Sequence, residues 1–530
     1  MNYNDFDKTA AYKRLLELAP RGKGFDFASR LTGERVRKAA VPLAAGLTYS
    51  WAAKAVDDPV LEALQALADE QELVGKYRAL VEGETMNTGE NRKVLHHLLR
   101  GQLGKPVLHE GKNLGEFYAR ERDRFSAFAA AVHAGKIRGS TGKAFTTAVQ
   151  IGIGGSDLGP RALYLALENW AAAEGKGRLQ AKFISNVDPD DASQTAASGN
   201  LEETIFILVS KSGTTQETLA NELFIKEKLI RAGLDPRKHL AAVTSETSPL
   251  ARNPAYLDSF YIDDFIGGRY SSTSAVGGVI LSLAFGPEVF SELLAGAHEA
   301  DQNAREPKAA ANAALLDALI GVWERNFLGY PYTAILPYSQ ALSRFPAHLQ
   351  QLDMESNGKR VNRDGVPLAY STGPVVFGEP GTNGQHSFYQ LLHQGTDIVP
   401  LQFVAFTESQ RGDDVEVDGS GSQTKLKANL AAQIVAFAKG KTDTNRNREF
   451  LGGRPSSLIY GKRLTPKALG ALLAHFENKV MFQGFIWNIN SFDQEGVQLG
   501  KVLTKKVLAA RAGGSSGDSV LDAYSGILGV

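Results

Sequence analysis

The chain has 530 residues, 43% of them hydrophobic and 22% charged, and a chain of that length predicts two or three domains rather than a single core. It contains no cysteine, which excludes disulfides, thiolate nucleophiles and Cys-ligated zinc. Lys plus Arg and Asp plus Glu both number 58, so net charge offers no attraction for nucleic acid or an anionic membrane.

From the N-terminus, residues 1–19 lack the apolar core of a signal peptide. No later run approaches the ~20 apolar residues of a membrane span. A soluble cytoplasmic protein is expected. Residues 1–115 read as a polar, mainly helical segment, with Leu61-Glu-Ala-Leu-Gln-Ala-Leu67 as a clear amphipathic stretch. From Phe145 the pattern changes to strands at 147–153, 182–187, 204–209 and 239–244 with helices between them. That alternation is the signature of a parallel sheet covered by helices.

Two of these strands run into turns rich in chemistry. The strand at 147–153 leads through Gly154-Gly155-Ser156-Asp157 into a helix expected over 161–170. A dinucleotide fingerprint competes for that turn, but Gly152, Gly154 and Gly155 are spaced G-x-G-G, and Pro160 stands where the third glycine would let helix and strand approach. The strand at 204–209 leads into Ser210-Lys211-Ser212-Gly213-Thr214-Thr215-Gln216-Glu217-Thr218 and an amphipathic helix over 219–229. Five hydroxyls and a lysine surround one glycine there, at a helix N-terminus whose free N–H groups and dipole favour an anion. A simple N-cap cluster accounts for one or two of those hydroxyls but not for all of them. A phosphate monoester fits the turn.

Next comes Asp264-Phe-Ile-Gly-Gly-Arg269-Tyr-Ser-Ser-Thr-Ser-Ala-Val-Gly277, followed by helices over 274–283, 287–302 and 311–327. A second alternation has strands at 332–337, 373–378, 398–406 and 456–460 and long helices over 422–439 and 466–487. It carries Gln350-Gln351-Leu-Asp-Met-Glu355-Ser-Asn-Gly-Lys359 and Gly378-Glu-Pro-Gly-Thr-Asn-Gly-Gln-His386-Ser-Phe-Tyr-Gln390. Gln351 and Glu355 share a face if that stretch is helical. His386 falls at an expected helix start. Ser491-Phe-Asp-Gln494-Glu-Gly-Val-Gln-Leu-Gly-Lys501 follows, and Gly513-Gly-Ser-Ser-Gly517 reads as a linker before the last residues.

Together with Asn87-Thr-Gly-Glu-Asn-Arg-Lys-Val-Leu-His96, these separated motifs in fixed order resemble the phosphoglucose isomerase family over nearly the whole chain. The resemblance implies two sugar-isomerase-type (SIS) αβα domains with parallel sheets and additional helices. Residues 1–115 would pack on the second domain, 116–285 would form the first, 286–510 the second, and 511–530 a tail. It implies reversible isomerisation of glucose 6-phosphate and fructose 6-phosphate, a step of glycolysis and gluconeogenesis, with no cofactor and no metal.

Aldose–ketose isomerisation moves a proton between adjacent carbons, and one shielded carboxylate suffices for both transfers. The resemblance makes Glu355 that base and Arg269 the stabiliser of the enediolate charge. His386, an imidazole suited to proton transfer near neutrality, and Lys501, with Gln494 before it, would open the sugar ring. Gly155, Ser156 and Gln351 would touch the sugar, Ser210, Lys211, Ser212, Thr215 and Thr218 would hold the phosphate, and Gly213 and Thr214 between them would belong to the same substrate-binding turn. The family's histidine arrives from the neighbouring subunit, which implies a homodimer with shared sites. His96, His97, His393 and His475 lie in helix-like stretches and are left as packing residues. Glu495 and Gln498 replace the tryptophan and glutamate usual in the family. The rival readings are an isomerase of another sugar phosphate, such as mannose 6-phosphate, and a non-catalytic sugar-phosphate sensor. A sensor has no reason to keep Glu355, His386 and Lys501 together. An amidotransferase-type relative would need the missing cysteine.

Overall fold

The computed structural model of the protein describes every residue except Asn2, Ala512 and Gly513. Gly513, where the expected linker begins, lies outside the described residues. The chain forms two compact units, Met1–Ser491 and Phe492–Val530.

The first unit contains two larger sheets. A five-stranded sheet has the order Ser259–Tyr261, Leu240–Thr244, Thr204–Val209, Thr147–Ile151, Gln180–Ile184, and every pairing is parallel. Its three central strands are buried along their whole length. Their apolar, β-branched runs are what a strand covered by helices on both faces requires. One face is sealed by Ile225 and Leu229 of the Gln216–Arg231 helix against Phe206, Leu208 and Leu240. A six-stranded sheet has the order Ala40–Pro42, Thr48–Ser50, Ser456–Gly461, Leu401–Phe406, Tyr332–Tyr338, Val375–Phe377. Its last four strands are parallel, and the first two join antiparallel. The α/β expectation with parallel sheets therefore holds.

The differences are local. Ala40–Pro42, Thr48–Ser50 and Ser259–Tyr261 are strands that the sequence pattern did not reveal, because three residues are too short to display an alternation. The helix expected from 161 starts earlier and spans Leu158–Ala173, with Pro160 in its first turn, where a missing N–H costs nothing. The helix expected over 311–327 is Ala313–Val322 continuing into a π-helical turn, Trp323–Leu328.

Chain order places the site. In the five-stranded sheet the path runs outward from Thr147–Ile151 to one edge and from Thr204–Val209 to the other. The carboxyl ends of these two neighbouring strands thus border the crevice where α/β sheets bind ligands. Both strands lead into the turns singled out above.

Behind the sheets runs Pro466–Ile486, a helix buried on nearly every face. It crosses Pro287–Asn303 at very close range: a Cβ on Gly296 would lie 1.8 Å from Lys467 O, and one on Gly470 would lie 1.8 Å from Leu293 O. The long helix carries Glu477, Lys479 and His475 into the interior, and each of these three meets a side chain of opposite character. Glu477 meets Arg100, which is also held by both oxygens of Asp301 at 3.1 Å. Lys479 lies 3.0 Å from Asp317, and His475 Nε2 lies 3.0 Å from the same carboxylate.

The second unit consists of Gln498–Ala510 and Ser519–Leu528, the latter capped by the Asp518 carboxylate accepting from Val520 N and Leu521 N. Neither helix has a buried residue.

Candidate active site

The phosphate-type turn owes its shape to its own hydroxyls. Ser210 Oγ accepts from Gly213 N at 3.1 Å and pairs with Thr215 Oγ1 at 3.0 Å. Ser212 Oγ accepts from Thr214 N at 3.2 Å and pairs with Thr214 Oγ1 at 2.9 Å. Gly213 has φ +68° and is pressed against Ser248, so a side chain there meets both strain and a clash. Thr215 is the N-cap of Gln216–Arg231, yet its side chain makes no capping bond to the helix. The first-turn N–H groups are thus left for an incoming anion. Thr218 Oγ1 is buried and has no hydrogen-bond partner among the described residues.

The Lys211 ammonium points elsewhere. It donates to Ile266 O at 3.3 Å and lies 3.6 Å from Asp264 Oδ1. Beside it, burial pushes the Asp263 carboxyl up to about 6, although the Tyr118 hydroxyl, the Phe265 N–H and the Lys211 charge all pull it down.

The glycine turn Gly154–Ser156 packs directly on the loop before Arg269. A Cβ on Gly155 would fall 2.2 Å from Gly268 C and O, so only glycine lets the two main chains touch. Gln351 comes to the same place, with Nε2 3.4 Å from where a Cβ on Gly154 would stand. The Gln351–Glu355 stretch is helical, but it is wound as a π turn rather than an α turn. Such turns are rare and concentrate at functional sites.

Arg269 and Glu355 meet across this junction. The guanidinium is 2% exposed, and its Nη1 lies 3.5 Å from Glu355 Oε2. Nε donates to Ser356 Oγ at 2.6 Å, and Nη2 donates to Ser491 O at 2.6 Å. Ser356 Oγ also pairs with Tyr270 OH at 2.9 Å. The buried cation is therefore fixed in direction before any ligand arrives. Glu355 Oε2 and Gln351 Oε1 are buried without a hydrogen-bond partner among the described residues. Two acceptors and a fixed cation thus converge beside a glycine turn.

Ser156 closes its own turn, its carbonyl accepting from Gln150 Nε2 at 2.7 Å. His386 ends the short Gly381–Gln385 helix instead of starting one, because the next helix begins only at Tyr389. It is exposed, and its imidazole makes no hydrogen bond among the described residues. Gln494 and Lys501 belong to the second unit, where both are exposed. The histidines left as packing residues are built in. His96 stacks on Tyr270 with ring centroids 4.6 Å apart, and His393 stacks on Phe437 at 3.7 Å. Sequence reasoning missed Ser356 and Ser491, which hold Arg269. Ser356 stood inside a quoted motif, but only the fold shows that its hydroxyl turns to the guanidinium. Among the described residues no cluster of His, Asp and Glu has the makings of a metal site.

Residues 50–523 match the sequence model of the family described as Phosphoglucose isomerase. A curated glucose-6-phosphate isomerase from Treponema denticola is 61% identical over 514 residues, covering 96% of this chain and 97% of that protein. One from Borreliella burgdorferi is 46% identical, covering 99% and 98%. A crystal structure of a glucose-6-phosphate isomerase from Chlamydia trachomatis superposes with a TM-score of 0.92 at 42% identity, covering 99% of this chain and all of that one.

Proposed function

The chain belongs to the phosphoglucose isomerase family, and on that premise we propose how its residues divide the work. The reaction is the reversible isomerisation of D-glucose 6-phosphate and D-fructose 6-phosphate. Glu355 takes the proton from C2 of the open-chain aldose, giving a cis-enediol intermediate, and returns it to C1 of the ketose. The charge that grows on the former carbonyl oxygen is met by the Arg269 guanidinium, whose direction is fixed by Ser356 and Ser491. Gly155, Ser156 and Gln351 line the sugar, and the turn from Ser210 through Ser212, Gly213, Thr214 and Thr215 to Thr218 receives the phosphate. The observation that carries this reading is the Glu355 Oε2 atom, buried without a hydrogen-bond donor and 3.5 Å from Arg269 Nη1. A carboxylate whose lone pairs are not already used is free to act as a base.

Ring opening is assigned by resemblance to His386 and Lys501, with Gln494 near the substrate. The exposed His386 serves the site of a neighbouring subunit, so the working form is a homodimer with shared sites. The proposed domains are 116–285 and 286–510, and the proposed compartment is the cytoplasm. None of the helices among the described residues is long and apolar enough to cross a membrane. The test is a coupled assay of the purified protein with fructose 6-phosphate and, separately, mannose 6-phosphate. Production of glucose 6-phosphate from fructose 6-phosphate is expected. Turnover of mannose 6-phosphate alone would move the protein to another sugar phosphate.

A further inference from the structure

The loop 263–269 touches three segments that carry the site, and one side chain ties it to the phosphate turn. The Lys211 Nζ donates to Ile266 O at 3.3 Å and lies 3.6 Å from Asp264 Oδ1. Asp264 is held from its other side by Arg92, with Nη2 3.5 Å from Oδ2. Leu95 N donates to Phe265 O at 3.0 Å, so the segment 87–96 braces the same loop. Three residues beyond Ile266 stands Arg269, and Gly268 between them is pressed on Gly155. The main chain of Lys211 is anchored too, its carbonyl accepting from Ser245 N at 3.0 Å. An ammonium that turned to a phosphate from here would have to leave both Ile266 O and Asp264.

We propose that the Lys211 ammonium is a strut, not a phosphate ligand, and that Asp264 is the positioning residue that orients it. The strut fixes the phosphate turn relative to the loop that delivers Arg269, so phosphate binding and guanidinium placement are linked. The main chain and hydroxyls of the turn remain the phosphate donors. This deepens the proposed function and rests on it. A phosphate remote from the reacting carbons accelerates the reaction only if its binding is transmitted to the reacting centre. A single side chain joining the two turns is a short physical route for that, and small misplacements of a catalytic group are costly.

The test uses the full-length wild type, Lys211→Met, Asp264→Asn, the double variant and Lys211→Arg. Each is measured by calorimetry with inorganic phosphate, which needs no turnover, and by kcat and KM with fructose 6-phosphate. The strut predicts a kcat loss of about tenfold in either single variant. It also predicts a double variant no worse than the singles, because both remove one interaction. Lys211→Arg should recover most of kcat, and the Kd for phosphate should stay within about threefold of wild type throughout. A Lys211→Met protein whose phosphate affinity falls more than about tenfold at unchanged kcat would overturn the strut in favour of a direct ligand. Multiplicative losses in the double variant, or wild-type kcat in Asp264→Asn, would overturn it as well. A wild type that binds phosphate but does not turn over the sugar would sink the functional reading instead, and the calorimetry tells that failure apart.

Discussion

Arg269 keeps its direction through two neutral acceptors, Ser356 Oγ and Ser491 O, so it does not depend on Glu355 for its placement. Glu355→Gln should therefore preserve the site's shape and remove only the base. The expected outcome is a kcat lower by ~10²–10⁴-fold with sugar-phosphate affinity largely retained, measured by steady-state kinetics and by binding of substrate to the variant. A second residue on the same turn tests its electrostatics. Burial pushes the Asp353 carboxyl up to about 6, against the pull of Lys479 and of the Asn357 amide that donates to it. Its folded-state value lies above the unfolded value, so the proton is bound more tightly in the native protein. That contribution is complete below about pH 4 and is lost as pH rises through 6, on the order of 3 kcal/mol in all. Denaturant unfolding between pH 4 and 7 should show wild type losing stability relative to Asp353→Asn as pH rises; parallel profiles would contradict the assignment. At this scale the sequence singled out Glu355 and Arg269, which the fold brings within 3.5 Å of each other, and the hydroxyls of the 210–218 turn, which hydrogen-bond among themselves. It was mute where a side chain has two partners to choose from. Lys211 in a hydroxyl-rich turn reads as a phosphate ligand, and only the fold shows its ammonium turned to Asp264.

Both π-helical turns, Trp323–Leu328 and Gln351–Glu355, border one small cavity of about 30 Å³ lined by Lys54, Asp317, Glu324, Asp353 and Lys479. A turn with one residue more than an α turn shifts the side chains around it, and Glu355, which ends the second of these turns, lies 3.5 Å from Arg269 Nη1. No periodicity of apolar residues encodes that extra residue, so the sequence announced the helix over 311–327 without its winding and left Gln351–Glu355 helical only as a condition. The long strands and helices were legible because burial on both faces writes itself as continuous apolar runs, as in Thr204–Val209. The helix pair behind the site offers a direct stability test. A Cβ on Gly296 has no room beside Lys467 O, and the clashing atom is main chain, which yields least. Gly296→Ala should destabilise the protein by about 1–3 kcal/mol through overpacking, despite the better helix propensity of alanine. Chemical denaturation checks it, and an unchanged or raised midpoint would mean that the helices can separate at no cost.

For the whole molecule, the proposed division gives ring opening to His386 and isomerisation to Glu355, and the proposed shared-site dimer would place the two on different chains. Mixing Glu355→Gln with His386→Ala subunits, unfolding and refolding them together, tests this arrangement. In a mixed dimer one site would inherit both lesions and the other neither, so random assortment should restore roughly a quarter of wild-type activity. If each chain served its own site, nothing would be restored. The order of motifs along the chain pointed to the family, whereas the proposed sharing of sites between subunits is not written in any local pattern. The central claim is that Glu355 is the base of the enediol step, and solvent-deuterium exchange followed by NMR tests it most directly. With fructose 6-phosphate in heavy water, wild type should label C1 of the ketose and C2 of the glucose 6-phosphate it forms. His386→Ala should still label an open-chain five-carbon sugar phosphate that cannot cyclise, and Glu355→Gln should label neither substrate. Label entering either sugar at the wild-type rate in Glu355→Gln would contradict the account.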